Sequence, residues 1–245
     1  MNPLAWLGAA LIGLSLGLTG AGGSVITLPV LVYLAGVPPR EAVGLSLLVV
    51  GAAAAAGAVQ CWRAGDLHAR AASMFALSGM AGAWFGAKFT RLVAPEFLMV
   101  VFAVLMLAVA ARMLFSRDED ATLPPECRPW RCLGIGGGTG IMTGFLGVGG
   151  GFLLVPALIK FARLPLRMAT GTSLAVIAFN SAAGFAAHLD GPVDWKLAGL
   201  FSGLAVAGSV AGNAASGMLP VKRLRQGFAV TVLLAGAVVL WRNLA

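Results

Sequence analysis

Gly17-Leu-Thr-Gly20-Ala-Gly22-Gly23, leading to Pro29, returns 127 positions later as Gly144-Phe-Leu-Gly147-Val-Gly149-Gly150, leading to Pro156. Continued without a gap, the register also matches Pro38 with Pro165, Arg40 with Arg167, Gly44 with Gly171, Ser46 with Ser173 and Gly57 with Gly184. Gly17 to Gly57 and Gly144 to Gly184 share 17 identities over 41 positions. A common taste for apolar residues does not align prolines, an arginine and a serine, so the chain reads as a duplicated unit.

The sequence around these clusters is of membrane grade. The 245 residues are 59% apolar and 11% charged, with a mean hydropathy of +0.92, too little polar surface to cover a soluble globule. Apolar blocks near the length of a bilayer span run from Ala42 to Cys61, Ala69 to Phe89, Phe97 to Phe115, Ala169 to Leu189, Leu197 to Leu219 and Phe228 to Trp241. None alternates with the period of two that barrel strands need, so helices are expected. The expected fold is an all-α integral membrane protein of two homologous repeats, residues 1–115 and 133–245, joined by a polar linker at 116–132. Each repeat is a glycine-broken segment followed by three transmembrane helices.

The first block, Pro3 to Ala35, holds 33 residues. As one straight helix it would measure about 50 Å, against a hydrocarbon core of about 30 Å. Gly20, Gly22 and Gly23 fall near its middle, where glycine's access to positive φ permits a break or a reversal. Leu133 to Phe161 repeats the pattern, broken from Gly147 to Gly151. Each block then makes two half-helices of roughly 20 Å, as a hairpin dipping into the membrane or as a sharply broken crossing. The N-terminus lacks a basic n-region and its apolar run has a counterpart in the second copy, so no cleavable signal peptide is expected.

The net charge of +8 comes from lysines and arginines spread over short loops, which points to membrane topology rather than to a nucleic-acid partner. If each broken block is a full crossing, basic residues divide 9 inside and 8 outside; if each is a re-entrant hairpin, they divide 12 and 5. The hairpin version obeys the positive-inside rule better, puts both termini outside and leaves an odd number of crossings per copy, hence inverted repeats. The high identity between copies also suits a parallel tandem. Cys61, Cys127 and Cys132 are expected as unpaired thiols, with neither a disulfide framework nor a metal site; the alternative is that Cys127 and Cys132 pair if the linker faces an oxidising compartment.

Polar groups inside the spans are few. Glu41, Asp66, Glu96, the linker acids, Asp190 and Asp194 sit in loops or at helix ends, which counts against cation coupling through buried carboxylates. Glycine backbone and small side chains remain: Ser24, Thr27, Ser46, Thr170, Thr172, Ser173, Asn180 and Ser181. Such groups suit an anion. Half-helices starting just after Gly22 and Gly23, and after Gly149 to Gly151, would bring free N–H groups and two positive dipole ends into the membrane interior. The candidate site is Gly20, Gly22, Gly23, Ser24, Gly147, Gly149, Gly150 and Gly151, flanked by Ser46, Thr172, Ser173 and Asn180. The competing reading is that glycines only let helices approach, as expected for Gly82 with Gly86 and Gly208 with Gly212, faces that would equally serve a homodimer. Asn180 and Ser181 stand where the first copy has Ala53 and Ala54, so the cavity is asymmetric there, or the pair serves a helix-to-helix hydrogen bond. His68 and His188, near Asp66 and Asp190, read as interfacial residues, with a proton relay as the alternative, and Trp6, Trp62, Trp130, Trp195 and Trp241 as interfacial anchors. Trp84, deeper in its block, either packs or lines a cavity.

The doubled G-x-x-G-x-G-G element with its following proline, the later Pro-x-Arg-x-Ala-x-Gly-x-Ser-Leu and the Gly-xxx-Gly pairs resemble the TauE/SafE family of membrane permeases, also called the sulfite exporter family. That resemblance covers nearly the whole chain. It implies a bacterial inner-membrane protein moving sulfite, an organosulfonate or a related sulfur compound, with Gly20, Gly22, Gly23 and Pro29, and Gly147, Gly149, Gly150 and Pro156, as the positions carried over. One departure is Ser24 against Gly151. The expected function is secondary transport of a small anion by alternating access between the repeats, with no cofactor or metal. An anion-selective channel and an assembly protein are the alternatives. The glycine-serine and glycine-aspartate spellings of intramembrane proteases are missing, so an enzyme is not expected.

Overall fold

The computed structural model describes residues 3–20, 22–90, 92–115, 129–147, 149–189 and 194–216, with isolated positions from 230 to 241. Among them every regular element is helical: α1 (Pro3–Thr19), α2 (Gly22–Pro29) continued by a π-helical turn (Val30–Leu34), α3 (Pro39–Arg63), α4 (Ala69–Thr90), α5 (Pro95–Phe115), α6 (Pro129–Leu146), α7 (Gly151–Ala162), α8 (Leu166–Ala186) and α9 (Trp195–Ser216). Most of the expected linker and of the last apolar block lies outside the described residues. The boundaries follow local chemistry. Pro38 and Pro165 stand in extended conformation just before α3 and α8, and Asp194 Oδ1 caps α9 by accepting from the N–H groups of Lys196 and Leu197 at 3.0 Å. Pro29 has no N–H to donate and its ring crowds the preceding turn, and the helix widens into the π turn directly after it.

Both broken blocks are hairpins. Gly23 lies against Ile12 and Leu16, and Gly8 against Val30 and Leu34, so α2 runs back along α1 after the break at Gly20. Gly150 likewise lies against Thr143 and Thr139 of α6. The first half-helix differs in length from the expectation. At 17 residues α1 spans about 25 Å, because the reversal comes at Gly20 and α2 starts at Gly22 itself rather than after Gly23.

Bare glycine faces then set helix against helix. Gly13 meets Ala205, Gly17 meets Ser209 and Asn213, and Gly212 meets Leu14 and Leu18; the numbers rise together, so α1 and α9 are parallel. Gly82 meets Gly137, Gly86 meets Ile141, and Gly140 and Gly144 meet Gly79 and Ala83, making α4 and α6 parallel too. At most of these seams a Cβ would overlap the partner's backbone oxygen. The expected packing role of Gly82, Gly86, Gly208 and Gly212 is met inside the chain. Between the two seams α3 and α8 run antiparallel, with Gly44 facing His188, Gly51 facing Ser181 and Gly57 facing Leu174.

Contacts at the helix ends fix which loops share a side. Arg167 Nε lies 2.8 Å from Asp66 Oδ2, and the His68 N–H donates to Thr172 Oγ1 at 3.0 Å, so the turns before α4 and before α8 sit together. At the opposite end Arg40 Nη2 donates to the Val93 carbonyl at 3.3 Å. Helices α3, α8 and α9 are long and apolar enough to cross a bilayer. Trp62, Trp130, Trp195 and Trp241 are exposed, as interfacial anchors are, while Trp6 packs on Phe201 with ring centroids 5.5 Å apart and planes tilted by 46°. Trp84 is 40% exposed, with Lys88 Nζ 3.5 Å from its ring centroid. The expectation of unpaired thiols holds at Cys61 and fails at Cys132. Cys132 is disulfide-bonded, because pairing depends on distance, which spacing in the sequence does not supply; Cys127 lies outside the described residues, and Cys61 is free and buried.

Candidate functional site

The two glycine turns divide their labour among residues that look alike in the sequence. Gly20 and Gly147 both take φ +68°, and Gly149 and Gly150 take +61° and +64°, a region L side chains avoid. These four make the reversals. Gly23 sits inside α2, and its bareness admits the Ile12 backbone. The Gly20 N–H closes α1 on Leu16 at 2.7 Å, and that of Gly147 closes α6 on Thr143 at 2.9 Å. Thr19 bridges the first turn: its Oγ1 donates to the Ser15 carbonyl and accepts from the Gly22 N–H, both at 2.8 Å. In the second turn Leu153 and Leu154 both donate to the Gly150 carbonyl at 3.1 Å, and no backbone carbonyl among the described residues pairs with the N–H of Gly149, Gly150 or Gly151.

The turns meet at the centre of the molecule. A Cβ on Gly149 would stand 2.6 Å from Val50 Cγ1, 3.2 Å from Ile177 Cγ2 and 3.2 Å from Ser24 Cβ. Gly149 therefore lies between the middles of α3 and α8 and against the first turn of α2, and α2 packs on α7. Ser24 is fully buried there.

Ser46 and Ser173 brace the turns crosswise. Ser46, on α3, donates its hydroxyl to the Gly147 carbonyl of the second turn. Ser173, on α8, donates to the Gly20 carbonyl of the first turn at 2.9 Å and also reaches the Thr170 carbonyl at 2.8 Å. Both serines are fully buried, and their protons go to the protein rather than to the space beside it. Ser46→Ala and Ser173→Ala are each expected to lower stability by about 1–3 kcal/mol by stranding a buried carbonyl. A denaturation midpoint measured beside anion affinity checks this, since a bracing role lowers the midpoint and leaves the affinity of the folded fraction within about twofold.

Other members of the expected set scatter. Thr172 accepts from the His68 N–H and so belongs to the loop at one end. His68 Nδ1 accepts from the Ala71 N–H at 3.1 Å, capping α4, and His188 Nδ1 bonds the Gly184 carbonyl at 2.9 Å. Asn180 is fully buried and packs on Gly79 of α4, yet neither of its amide atoms has a hydrogen-bond partner, and the Ser181 hydroxyl has none either. Ser181 was not among the expected site residues, although its contrast with Ala54 was the available signal. Thr19 and Thr143, which support the turns, gave no signal beyond being hydroxyls near glycines.

The sulfite exporter TauE/SafE family model matches residues 5–239, so both turns, both seams and the crosswise serines lie within the match. The chain belongs to the TauE/SafE family. It is similar to a "Probable membrane transporter protein" of Xylella fastidiosa (strain 9a5c), with 34% identity covering 96% of this chain and 93% of that relative. It is also similar to the "Probable membrane transporter protein YdhB" of Bacillus subtilis (strain 168), at 24% identity over 94% and 97%. "Probable membrane transporter protein MJ0441" of Methanocaldococcus jannaschii is 24% identical over 76% of this chain and 72% of its own. No solved structure matches the chain at a significant level. TauE/SafE membership, the apolar helices and these relatives make the chain a multi-pass membrane protein of a transporter family.

Proposed function

We propose that the protein is a secondary transporter of a small sulfur oxyanion or organosulfonate, working by alternating access around the junction of its two glycine turns. The observation that carries this reading is the contact of Gly149 with Ser24 between Val50 and Ile177, which brings the starts of α2 and α7 together in the membrane interior. Sulfite carries one or two negative charges near neutral pH, and two helix N-termini partly neutralise such an anion without a buried cation. Gly20, Gly22, Gly23 and Ser24 with Gly147, Gly149, Gly150 and Gly151 form the site in this reading, Ser46 and Ser173 brace its turns against unfolding, and Asn180 borders it.

Inverted repeats fit the packing. Helices α3 and α8 occupy matched places in the duplication and run antiparallel, whereas a parallel tandem would aim them the same way. The Arg167 to Asp66 ion pair joins two turns that full crossings by both broken blocks would leave on opposite sides. With hairpins, those turns and the linker lie on the cytoplasmic side of the bacterial inner membrane and both termini on the outer side. The Cys132 disulfide favours an oxidising side for the linker, but the 12 to 5 division of basic residues sums many loops and outweighs that single bond.

Proteoliposomes loaded with labelled sulfite, taurine or sulfoacetate, with and without a pH gradient, test the reading. Saturable flux with counterflow is expected for at least one of them. Currents with unitary steps would replace the carrier by a channel, and no flux in a folded preparation would leave an assembly role.

A further inference from the structure

Asn180 and Ser181 are the pair for which the fold gives no account. Both are fully buried, and the Asn180 Oδ1 and Nδ2 and the Ser181 Oγ all lack hydrogen-bond partners. Buried polar groups are rarely left so, and an orphaned amide asks for a ligand that both donates and accepts. Their place in the fold is informative. Ile177, which touches Gly149, lies three and four residues before them on α8, so all three share one face and the pair stands about 5 Å along the helix from the turn junction. Ser181 faces Gly51, the neighbour of the Val50 that also touches Gly149, and the Asn180 amide itself takes the place over Gly79 that a side chain would fill. The matched positions in the first half are Ala53 and Ala54, so the pair breaks the twofold pattern on one side only.

We infer that Asn180 and Ser181 select the protonated, singly charged form of the transported oxyanion, the Asn180 Oδ1 accepting the ligand's O–H while Nδ2 and the Ser181 hydroxyl donate to its other oxygens. A dianion offers Oδ1 only lone pairs and leaves it unpaired, so it is disfavoured at the same site. The inference rests on the proposed anion site. Along α3, α4, α6 and α8 the titratable or charged side chains nearest the level of Asn180 are Glu41 and Cys61, Arg70 and Lys88, Arg131, and His188, each at least two turns away along its helix. The ligand's own proton therefore sets the pH dependence.

The test uses the full-length protein in proteoliposomes, with labelled sulfite across the pH range in which it passes from one charge to two, and sulfate as a competing dianion. Wild-type flux at fixed total sulfite is expected to fall as the monoanion disappears, with sulfate competing poorly. Asn180→Ala, a residue the first half accommodates at Ala53, is expected to bind the monoanion about tenfold more weakly, to flatten the pH profile and to let sulfate compete better relative to sulfite. Ser181→Ala is expected to weaken binding in the same direction by a smaller factor. A folded Asn180→Ala protein with the wild-type profile and competition would overturn this inference while leaving the anion site standing. Wild-type protein that moves neither anion nor the sulfonates would overturn both.

Discussion

Gly140→Ala is expected to break the α4–α6 seam, while Gly138→Ala, two residues away on the same helix, is expected to leave the protein as stable or slightly more stable. Both changes gain about 1 kcal/mol of intrinsic helix propensity. They differ in what the new methyl group meets: at Gly140 it overlaps the carbonyl oxygen of Gly79 and stands 2.7 Å from the Gly79 Cα, whereas at Gly138 nothing lies within 4 Å. Backbone cannot turn aside as a side chain can, so the helices must separate. In a bilayer no hydrophobic force pulls them back, because lipid tails are as apolar as leucine, and association depends on the close contact itself. Loss of packing along α4 and α6 is expected to cost about 3 kcal/mol or more, a fall in Tm on the order of 5 °C or more for a chain of this size. Thermal unfolding in detergent of the two variants side by side measures it. If Gly140→Ala melts with Gly138→Ala, the parallel seam is wrong. Gly13→Ala, whose methyl would overlap the Ala205 carbonyl oxygen, makes the corresponding test of α1 against α9.

How much of this was legible in the sequence depended on whether a feature is a property of one helix or of two. Gly82 with Gly86 and Gly208 with Gly212 announced a bare face, because residues four apart lie on one side of a helix. The partner was not announced, and α4 packs on α6 and α1 on α9, each pair drawn from opposite halves of the chain. Pro3 to Ala35 was too long for a bilayer, and its cluster Gly20, Gly22, Gly23 marked where it breaks; that the break lies at Gly20 and is a reversal needed the backbone at Gly20 and the contact of Gly8 with Val30. Ser46 and Ser173 stood out as a matched pair of hydroxyls in apolar helices. Their crosswise bonds to Gly147 and Gly20 could not be read, since each serine is 101 or 153 positions from its partner. Thr172 looked equivalent to them and instead holds the turn at His68, again because loop placement is tertiary. The asymmetry at Asn180 and Ser181 was visible against Ala53 and Ala54, but whether the pair would be satisfied was not, because that is decided by Gly79 and Gly51 on other helices.

Gly147→Ala is expected to abolish transport and to destabilise the protein well beyond Gly36→Ala. Both glycines sit at positive φ, +68° and +72°, so alanine at either position carries the left-handed strain of about 1–2 kcal/mol. Gly36 has open space around it, and strain is all it should show. At Gly147 the added methyl also stands 2.7 Å from Val43 Cγ1 and 2.8 Å from the Val43 Cα, the last of which belongs to the backbone of α3 and cannot give way. Relief requires the turn to move off α3, and the carbonyl that Ser46 holds moves with it, leaving that hydroxyl and carbonyl unpaired at a further cost of about 1–3 kcal/mol. Gly20→Ala meets the mirror situation at Thr170, whose Cα lies 3.0 Å from the added atom. Tm and saturable flux per folded molecule, measured for the three variants, separate the effects. A Gly147→Ala protein no less stable than Gly36→Ala would show that α3 does not hold the turn. One that is destabilised yet carries anion at the wild-type rate would keep the packing and remove the turn from the site, since a ligand resting on backbone N–H groups at Gly149 to Gly151 cannot be indifferent to a shift of the residues that aim them.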